Sequence, residues 1–308
     1  MTTSSVIDVQ AEVLESEVQE TKVNSTYSKE NNYLQYVDYR SEGDTRLTIN
    51  GSRHYKTPFG ALPSVTTILS ATQGNKASLE RWNKKNPGKR EEAAARGTAV
   101  HSRMEHYLLG ERNFEYNKIV EPFWKGLPEK LDKFENVIWA ENPVGDHYSW
   151  TIGGDGISRV WHPGVHETET WGWAGAPDII ATYKGKVILG DLKTSNGLYY
   201  GRWPGPDTPR DEYGMRRAGF VKYQKCCMQL AAYHLAIENT IGIKPDIHMI
   251  LVATEQRAQT FAIQGRTIEK YKQKWLDTVE KYYKEFHNIP EMDMEAVDGD
   301  KHEDETKV

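Results

Sequence analysis

Cysteine is scarce in this sequence of 308 residues, which contains only Cys226 and Cys227. Two adjacent thiols cannot form a disulfide framework, and they fall short of the four thiolates that a zinc ribbon or an iron–sulfur cluster needs. Long apolar runs are absent as well, since no segment approaches the roughly 20 residues that a membrane-crossing helix requires. The N-terminus shows neither a hydrophobic signal core nor the Arg-rich, acid-poor character of a transit peptide. We therefore expect a cytoplasmic protein that has no iron–sulfur cluster and no membrane partner.

The chain also lacks the large basic excess that would point directly to nucleic acid, because its formal net charge is -5. The acidic residues are concentrated at the two ends, where residues 1–30 carry -4 and residues 291–308 carry -6. Residues 31–290 therefore carry about +5, which is compatible with a phosphate-binding surface but does not require one. The first end shows no sustained periodicity and the second has almost no large apolar groups. We expect two disordered acidic tails around one domain that spans residues 31–290.

Apolar periodicity within this domain predicts helices and strands. Helices are expected at residues 65–69 with Ser64 as the cap, and at 79–84, 90–109, 222–238 and 267–286. A further helical region is expected at residues 118–136, bent or split near Gly126 and Pro128. Strands are expected at residues 33–40, 45–49, 137–140, 178–183, 187–193 and 247–253. This order predicts an α/β domain with a central mixed sheet flanked by helices. An inserted loop is expected at residues 196–220, where Gly, Pro, Arg and aromatic residues accumulate.

The most informative segment is a predicted hairpin that brings two acids and a lysine together. Asp178 begins one strand, and Asp191 and Lys193, two residues apart, are expected on one face of the other. Two carboxylates and a backbone carbonyl such as that of Leu192 are the oxygen ligands that Mg²⁺ or Mn²⁺ prefers. A nearby lysine can orient or help deprotonate the water that attacks a phosphodiester. The alternative is a surface hairpin with a solvated Asp–Lys pair, but Asp191 ends an apolar run, where an unneeded charge would be costly.

Two helical segments carry further polar side chains at a spacing of one turn. His101 and Glu105 share a face of a long predicted helix, and Gly97 would allow that helix to approach another backbone or DNA closely. Gln229 and Tyr233 share a face of a later helix in the same way. Spacing alone leaves bland alternatives open: an inert surface pair for the first, and an amphipathic core helix with a hydrogen-bonded Gln for the second.

Taken together, these elements resemble the RecB-like branch of the PD-(D/E)xK nucleases. That branch has a GxxxH…E helix, a GxxD strand, a DxK strand and a QxxxY helix, in this order. The sequence carries the four motifs in the same order as Gly97 to His101 with Glu105, Gly175 to Asp178, Asp191 to Lys193, and Gln229 to Tyr233. Over residues 60–285 it is further similar to mitochondrial genome maintenance exonucleases and related phage exonucleases. The resemblance implies a restriction-endonuclease-like α/β core.

The resemblance also implies roles for the residues of the four motifs. The metal ligands would be His101, Asp178, Asp191 and the carbonyl of Leu192. The catalytic group would comprise these two aspartates with Lys193, Glu105, Gln229 and Tyr233. Within it, Lys193 would serve the nucleophilic water, Gln229 and Tyr233 would position the scissile strand, and Glu105 would be a supporting acid. Glu141 falls where many relatives place a further acid.

The implied function is Mg²⁺- or Mn²⁺-dependent hydrolysis of DNA by an exonuclease that acts on single-stranded ends, in DNA replication, recombination or degradation. A phage-encoded protein working in the cytoplasm of its bacterial host would fit. Two alternatives stay open: a double-strand-specific exonuclease of the lambda type, and a DNA-binding recombination accessory protein with an inactive nuclease fold. The intact acid, acid and lysine set favours an active enzyme.

The expected loop at residues 196–220 is a candidate surface for contact with nucleic acid. Arg202, Trp203, Arg216 and Arg217 combine groups that pair with phosphates and groups that stack on bases. The alternative is an insertion that is ordered by its own aromatic residues.

Overall fold

The computed structural model describes residues 46–57, 60–74, 76–140, 157–159, 172–241 and 243–287. The strands are β1 (Arg46–Ile49), β2 (Ser52–Thr57), β3 (Gly60–Pro63), β4 (Asn136–Ala140), β5 (Ile157–Arg159), β6 (Gly172–Ala174), β7 (Ile179–Tyr183), β8 (Lys186–Thr194), β9 (Ile247–Ala253) and β10 (Ala258–Gln264). The helices are α1 (Val65–Gln73), α2 (Lys76–Lys85), α3 (Lys89–Leu108), α4 (Glu121–Trp124), α5 (Pro128–Leu131), α6 (Arg210–Ile241) and α7 (Arg266–Glu285). The two expected tails, the expected strand at 33–40 and Glu141 lie outside the described residues.

Strands β1, β2 and β3 form a small antiparallel sheet whose first turn is set by two residues. Asn50 and Gly51 connect β1 to β2 and have φ values of 50° and 73°. Positive φ at both central positions is what a type I′ hairpin turn requires, and asparagine followed by glycine favours it. The strand expected at residues 45–49 is therefore confirmed. Its described partner is β2, which the apolar pattern did not predict.

Five strands build the central mixed sheet in the order β10-β9-β8-β7-β4. Strands β8 and β9 are parallel, and the other neighbours are antiparallel. The hairpin of β7 and β8 pairs Ile179, the first residue of β7, with Gly190. Strand β8 continues beyond that pair, from Asp191 to Thr194. The hairpin therefore opens at its Asp191 end.

Helices cover both faces of the central sheet. On one face, Leu192 of β8 and Met104 of α3 are buried in the main apolar core. On the other face, His248 of β9 contacts His234 of α6, and α7 packs beside α6. Because side chains alternate along a strand, Asp191 projects to the face opposite to that of Leu192, which is the side of α6. The sheet thus separates the apolar core from the acidic end of β8.

Most of the expected elements are confirmed, with ends shifted by a few residues. Ser64 caps α1 as expected, since its hydroxyl accepts the Thr67 N–H at 3.0 Å. The helical region expected at residues 118–136 is split near Gly126 and Pro128 as predicted, but it is much shorter than expected, because two one-turn helices, α4 and α5, form there. None of the helices in the described ranges is long and apolar enough to span a membrane.

The expected loop at residues 196–220 is wrong in its second half, because α6 begins at Arg210 rather than at residue 222. The carbonyl of Pro209 accepts the Tyr213 N–H at 2.9 Å, which is the first bond of the helix. Asp211 and Glu212 lie in the first turn, where negative charge stabilises a helix. The glycines and aromatic residues of this stretch favoured a loop, although the two acids indicate the start of a helix.

Candidate active site

Two carboxylates and a lysine meet where β7 and β8 diverge. Asp178 directly precedes β7, so the pairing of Ile179 with Gly190 places it opposite Asp191 if the register continues. Asp191 and Lys193 project from the same face of β8, and the Lys193 ammonium lies 2.5 Å from Oδ2 of Asp191. The hairpin brings together the three residues that the sequence indicated for the centre.

Asp178 is a buried residue that is hydrogen-bonded to β8 and lies near a histidine of α3. Its Oδ2 accepts the backbone N–H of Leu192 at 2.6 Å, and the same oxygen lies 3.7 Å from Nδ1 of His101 on α3. The N–H and C=O of one strand residue point to the same edge of the strand. The carbonyl of Leu192 therefore faces the edge on which Asp178 lies.

Asp191 is buried completely, and its charge depends on the groups around it. Burial raises the pKa of Asp191 to about 6, while Lys193 opposes this shift and Asp178 adds to it. Burial also lowers the pKa of Lys193, but Asp191, together with Cys226 and Asp178, outweighs this effect and leaves that pKa raised. Within the described part of the chain, Oδ1 of Asp191 has no hydrogen-bond partner. The buried carboxylate is thus stabilised by a cation on one oxygen and is unsatisfied on the other.

The donor chemistry of this centre fits a hard cation. In the present arrangement, no group of three or more His, Cys, Asp or Glu side chains among the described residues could hold a metal ion, and Lys193 supplies the positive charge beside Asp191. However, two carboxylates and the Leu192 carbonyl are oxygen ligands of the kind that Mg²⁺ and Mn²⁺ prefer, and Mn²⁺ also accepts an imidazole such as that of His101. The buried Oδ1 of Asp191 is a further acceptor, and leaving it without a partner costs free energy, so a bound cation would stabilise it.

Helix α3 contributes the first motif of the resemblance. His101 is partly buried, and Glu105, one turn later, is buried. Glu105 is therefore not the surface residue that the alternative assumed, and its role stays a prediction. A Cβ atom at Gly97 would find Oγ1 of Thr194 at 3.5 Å, which is ordinary van der Waals contact with a side chain. Among the described residues, no other backbone lies within 4 Å of that Cβ position, so packing against them does not require glycine there.

Helix α6 contributes the last motif. Nε2 of Gln229 donates a hydrogen bond to the Tyr233 hydroxyl at 3.0 Å, and both side chains are buried. A Cβ atom at Gly175 would lie 2.7 Å from Cε1 of Tyr233, so this position requires glycine. Burial raises the pKa of Tyr233 well above its usual value, with Asp191 adding to the shift and Lys193 opposing it. The tyrosine thus packs on the segment before Asp178 and lies within electrostatic range of the centre.

Two residues that the sequence did not single out extend this site along β8. Ser195 is buried two residues after Lys193, and Nζ of Lys222 on α6 donates to the Ser195 hydroxyl at 3.1 Å. Lys222 precedes Gln229 by seven residues, which is two helical turns, so both lie on one face of α6. That spacing was visible in the sequence. The contact with Ser195 was not, because no local pattern joins residues that are so far apart.

Residues 196–209 form an irregular segment that packs on the beginning of α6. A Cβ atom at Gly219 would lie 2.5 Å from the carbonyl oxygen of Leu198 and 2.6 Å from the ring of Tyr200, so glycine is needed for this close approach. The backbone of Tyr199 exchanges two hydrogen bonds with the Gln259 side chain, at 2.9 and 3.1 Å. The segment is therefore tied to both α6 and β10.

The aromatic and basic residues of this segment are partly engaged with one another. Trp203 packs edge to face on Phe220 at 5.5 Å, and the Arg217 guanidinium lies 5.6 Å from its ring. Arg216 forms an ion pair at 2.7 Å with a glutamate one turn earlier. Trp203 is nevertheless 48% exposed, and Arg202 is exposed as well. Aromatic residues of the segment therefore contact one another, as the alternative assumed, and its contact with nucleic acid stays a prediction.

Comparison with known proteins does not assign the chain to a family: no family model matches it, and no curated protein matches it either. The likeness to PD-(D/E)xK nucleases therefore stays a prediction that rests on the four motifs and their order.

Proposed function

We propose that this chain is a metal-dependent nuclease that hydrolyses DNA phosphodiester bonds at the Asp178, Asp191 and Lys193 centre. The observation that carries the proposal is the convergence of these three side chains at the open end of one hairpin, with a buried carboxylate oxygen of Asp191 left without a described hydrogen-bond partner. A solvated Asp–Lys pair on a surface hairpin, which was the alternative, would not bury the Asp191 carboxylate. A hydrolytic centre does need buried carboxylates, because they hold a cation in a fixed position.

The chemistry divides between a bound ion and the side chains of this chain. When bound, Mg²⁺ or Mn²⁺ would polarise the phosphate and make a bound water more acidic. Asp178, Asp191 and the Leu192 carbonyl would hold the ion, with His101 as a further ligand. The Lys193 ammonium would donate hydrogen bonds to the attacking water and offset the negative charge that develops on the phosphate oxygens.

The architecture supports a restriction-endonuclease-like core, which we include in the proposal. The four motifs lie on α3, on the segment before β7, on β8 and on α6, and all four contribute side chains around the same end of the β7–β8 hairpin. The mixed sheet has the expected helices on both faces. We propose single-stranded DNA ends as the substrate on the basis of the resemblance.

The test is a cleavage assay of the purified chain with linear and circular DNA, single- and double-stranded, labelled at either end, in Mg²⁺, Mn²⁺ or EDTA. We expect cleavage with either metal and none with EDTA, with linear single strands degraded and circular ones surviving. Asp191→Asn should lower the rate by about 100-fold or more and leave DNA binding within several-fold. The control Asp277→Asn makes the same charge change at an exposed position on α7.

Each result of this assay bears on a different part of the proposal. A parent chain that cleaves no DNA under any of these conditions would reject the nuclease. Near-parental, metal-dependent cleavage by Asp191→Asn would reject the assignment of the centre. Degradation of circular DNA at the rate of linear DNA would reject an exonuclease in favour of an endonuclease.

A further inference from the structure

Lys222 is a basic residue held at a fixed place beside the proposed centre. Cys226, Gln229 and Tyr233 follow it on α6 at intervals of four, three and four residues, so the four side chains line one face of the helix. Its ammonium donates to the Ser195 hydroxyl at 3.1 Å and lies 5.7 Å from the centre of the Tyr199 ring. The helix face that reaches the centre through Tyr233 thus reaches the end of β8 through Lys222.

Ser195 fixes the position of Lys222 relative to the centre. The Ser195 N–H donates to the Ala253 carbonyl at 2.9 Å, so the chain is still paired with β9 one residue beyond β8. Asp191, Lys193 and Ser195 therefore follow one another at intervals of two residues on one side of an extended chain. A strand rises about 3.3 Å per residue, which places Ser195 roughly 7 Å beyond Lys193. Lys222 caps this row with a second ammonium.

The Lys222 ammonium has a hydroxyl and an aromatic ring as neighbours, but it forms no ion pair with a carboxylate in the described part of the chain. By contrast, Lys193 has Asp191 beside it. Partial burial lowers the pKa of Lys222, so a bound anion would stabilise its charged form. The Ser195 hydroxyl also accepts the Gly197 N–H at 3.3 Å, which holds the hydroxyl in place. An anion that reached Lys222 would meet a positioned cation.

We propose that Lys222, positioned by Ser195, binds the phosphate next to the one that is cleaved. This inference rests on the proposed function, since it takes a DNA strand as the ligand. An extended single strand can match the roughly 7 Å between Lys193 and Ser195, because its backbone can stretch beyond the about 3.4 Å per nucleotide of stacked DNA. Lys222 is therefore a positioning residue that sets the register of the strand at the centre.

The first experiment measures binding without cleavage. In an Asp191→Asn background, the affinity for a labelled single-stranded oligonucleotide is measured by fluorescence anisotropy over a series of KCl concentrations. We expect Lys222→Met to weaken binding by about three- to tenfold at low salt and to reduce the slope of log affinity against log salt by about 0.7, the change for one lost phosphate contact on a single strand. Lys222→Arg should retain most of the affinity.

The control for this experiment is Lys186→Met, which removes the same charge at the first residue of β8, seven residues from Lys193. It should bind like the Asp191→Asn parent. Thermal unfolding of each variant identifies any that fails to fold, and if Lys222→Met does not fold, Lys222→Gln, which also removes the charge, takes its place in the comparison. Equal affinity and equal salt slope for Lys222→Met and Lys186→Met would overturn the inference.

The second experiment locates the phosphate in the cleaving enzyme. Substrates carry one neutral methylphosphonate linkage, moved in turn through the linkages nearest the cleaved end. At one position beside the scissile bond, the neutral linkage should raise KM for the parent but add no penalty for Lys222→Met. Equal penalties in both enzymes at every position would overturn the placement.

The two proposals fail separately. A chain that loses single-strand affinity with Lys222→Met but never cleaves DNA would reject the nuclease and retain the binding site. A chain that cleaves DNA and is indifferent to Lys222→Met would reject only this inference.

Discussion

Gly175 shows how closely the segments around the proposed centre are packed. A Cβ atom there would lie 2.7 Å from the ring of Tyr233, which is buried and cannot swing into solvent. We expect Gly175→Ala to displace the ring, weaken its bond to Gln229 and destabilise the fold by about 1–3 kcal/mol, the usual cost of overpacking. Urea denaturation checks the loss of stability.

The control for this change is Gly197→Ala, which lies two residues after Ser195 at the end of β8. A Cβ atom at Gly197 meets nothing within 4 Å, so this variant should unfold at the urea concentration of the parent. If Gly175→Ala is as stable as Gly197→Ala, the tyrosine ring moves aside at little cost and does not fix the segment before Asp178.

Sequence alone predicted the centre because its residues are local in the chain. Asp178, Asp191 and Lys193 belong to one hairpin, and the alternation of side chains along β8 was enough to place Asp191 beside Lys193. Ser195 and Lys222 escaped notice because their contact depends on how α6 packs across the sheet. Spacing rules apply within one element, and they do not supply the register between a helix and a strand.

At the scale of elements, a pair of buried histidines joins α6 to β9. Nδ1 of His234 lies 2.8 Å from Nε2 of His248, and Glu238 lies 3.3 Å from His234 and 2.9 Å from Lys272. Burial lowers the pKa of His234 to about 4, with Lys272 and Lys244 adding to the shift and Glu238 opposing it. Burial also lowers the pKa of His248 well below its usual range, and His234 and Lys272 contribute further. The packed interface therefore holds both rings neutral.

This pair predicts a loss of stability in acid. The folded pKa of His234 lies near 4 and the unfolded value near 6.5, so the unfolded chain binds more protons between these values. Stability is then complete above about pH 6.5 and falls as the pH falls, by about 2 kcal/mol at pH 5 from His234 alone. Replacing both histidines by leucine removes the two groups that bind protons on unfolding. It also removes both partners of the contact between the rings, so neither ring is left buried without its partner, and the cost is small.

The measurement is the free energy of unfolding in urea at several pH values between 5 and 8. The double variant His234→Leu/His248→Leu should lose less stability in acid than the parent. The control Met249→Leu changes a buried side chain of β9 without removing a titratable group, so it should keep the parent's pH dependence. Parallel curves for parent and double variant would show that the pair does not titrate on unfolding.

In the segment before α6, Trp203 is a candidate for stacking on a base of single-stranded DNA. Trp203 is 48% exposed although it packs on Phe220, so part of its ring can stack on a base. We expect Trp203→Ala to weaken single-strand binding by about 1–3 kcal/mol, nearly independently of salt, since stacking releases no counterions. The control Trp82→Ala removes a tryptophan on α2 that is 47% exposed. Equal binding by the two variants would leave Trp203 with a packing role only.

Sequence patterns located the buried elements better than the half-exposed ones. Strand β9 is buried along its whole length and its predicted ends are those observed, whereas β10 is mostly exposed or partly buried and was missed. The hairpin of β1 and β2 was also missed, although Asn50 and Gly51 carry a strong turn signal. An apolar pattern reveals a strand only when at least one of its faces is buried, and the remaining strands have to be predicted from the residues of their turns.

At the scale of the whole molecule, the two ends of the sequence are negatively charged, whereas residues 31–290 carry a net positive charge. Residues 291–308, outside the described part of the chain, carry -6, and residues 31–290 carry about +5. If the proposed DNA site uses that positive charge, the acidic end competes with DNA for it, and the competition weakens as salt screens it. A chain that ends at residue 290 should therefore bind single-stranded DNA several-fold more tightly at low salt, with the difference vanishing at high salt.

The matched control keeps the length of that end and brings its net charge to zero, by replacing six of its eight acids with Asn or Gln so that the other two balance Lys301 and Lys307. If charge is the cause, this full-length variant should bind DNA like the truncated chain, whereas a steric effect would leave it like the parent. A salt titration of the three proteins by fluorescence anisotropy separates these outcomes. Three superimposable curves would show that the acidic end does not compete with DNA for the site. The positive charge of residues 31–290 would then be available to DNA whether or not the acidic end is present.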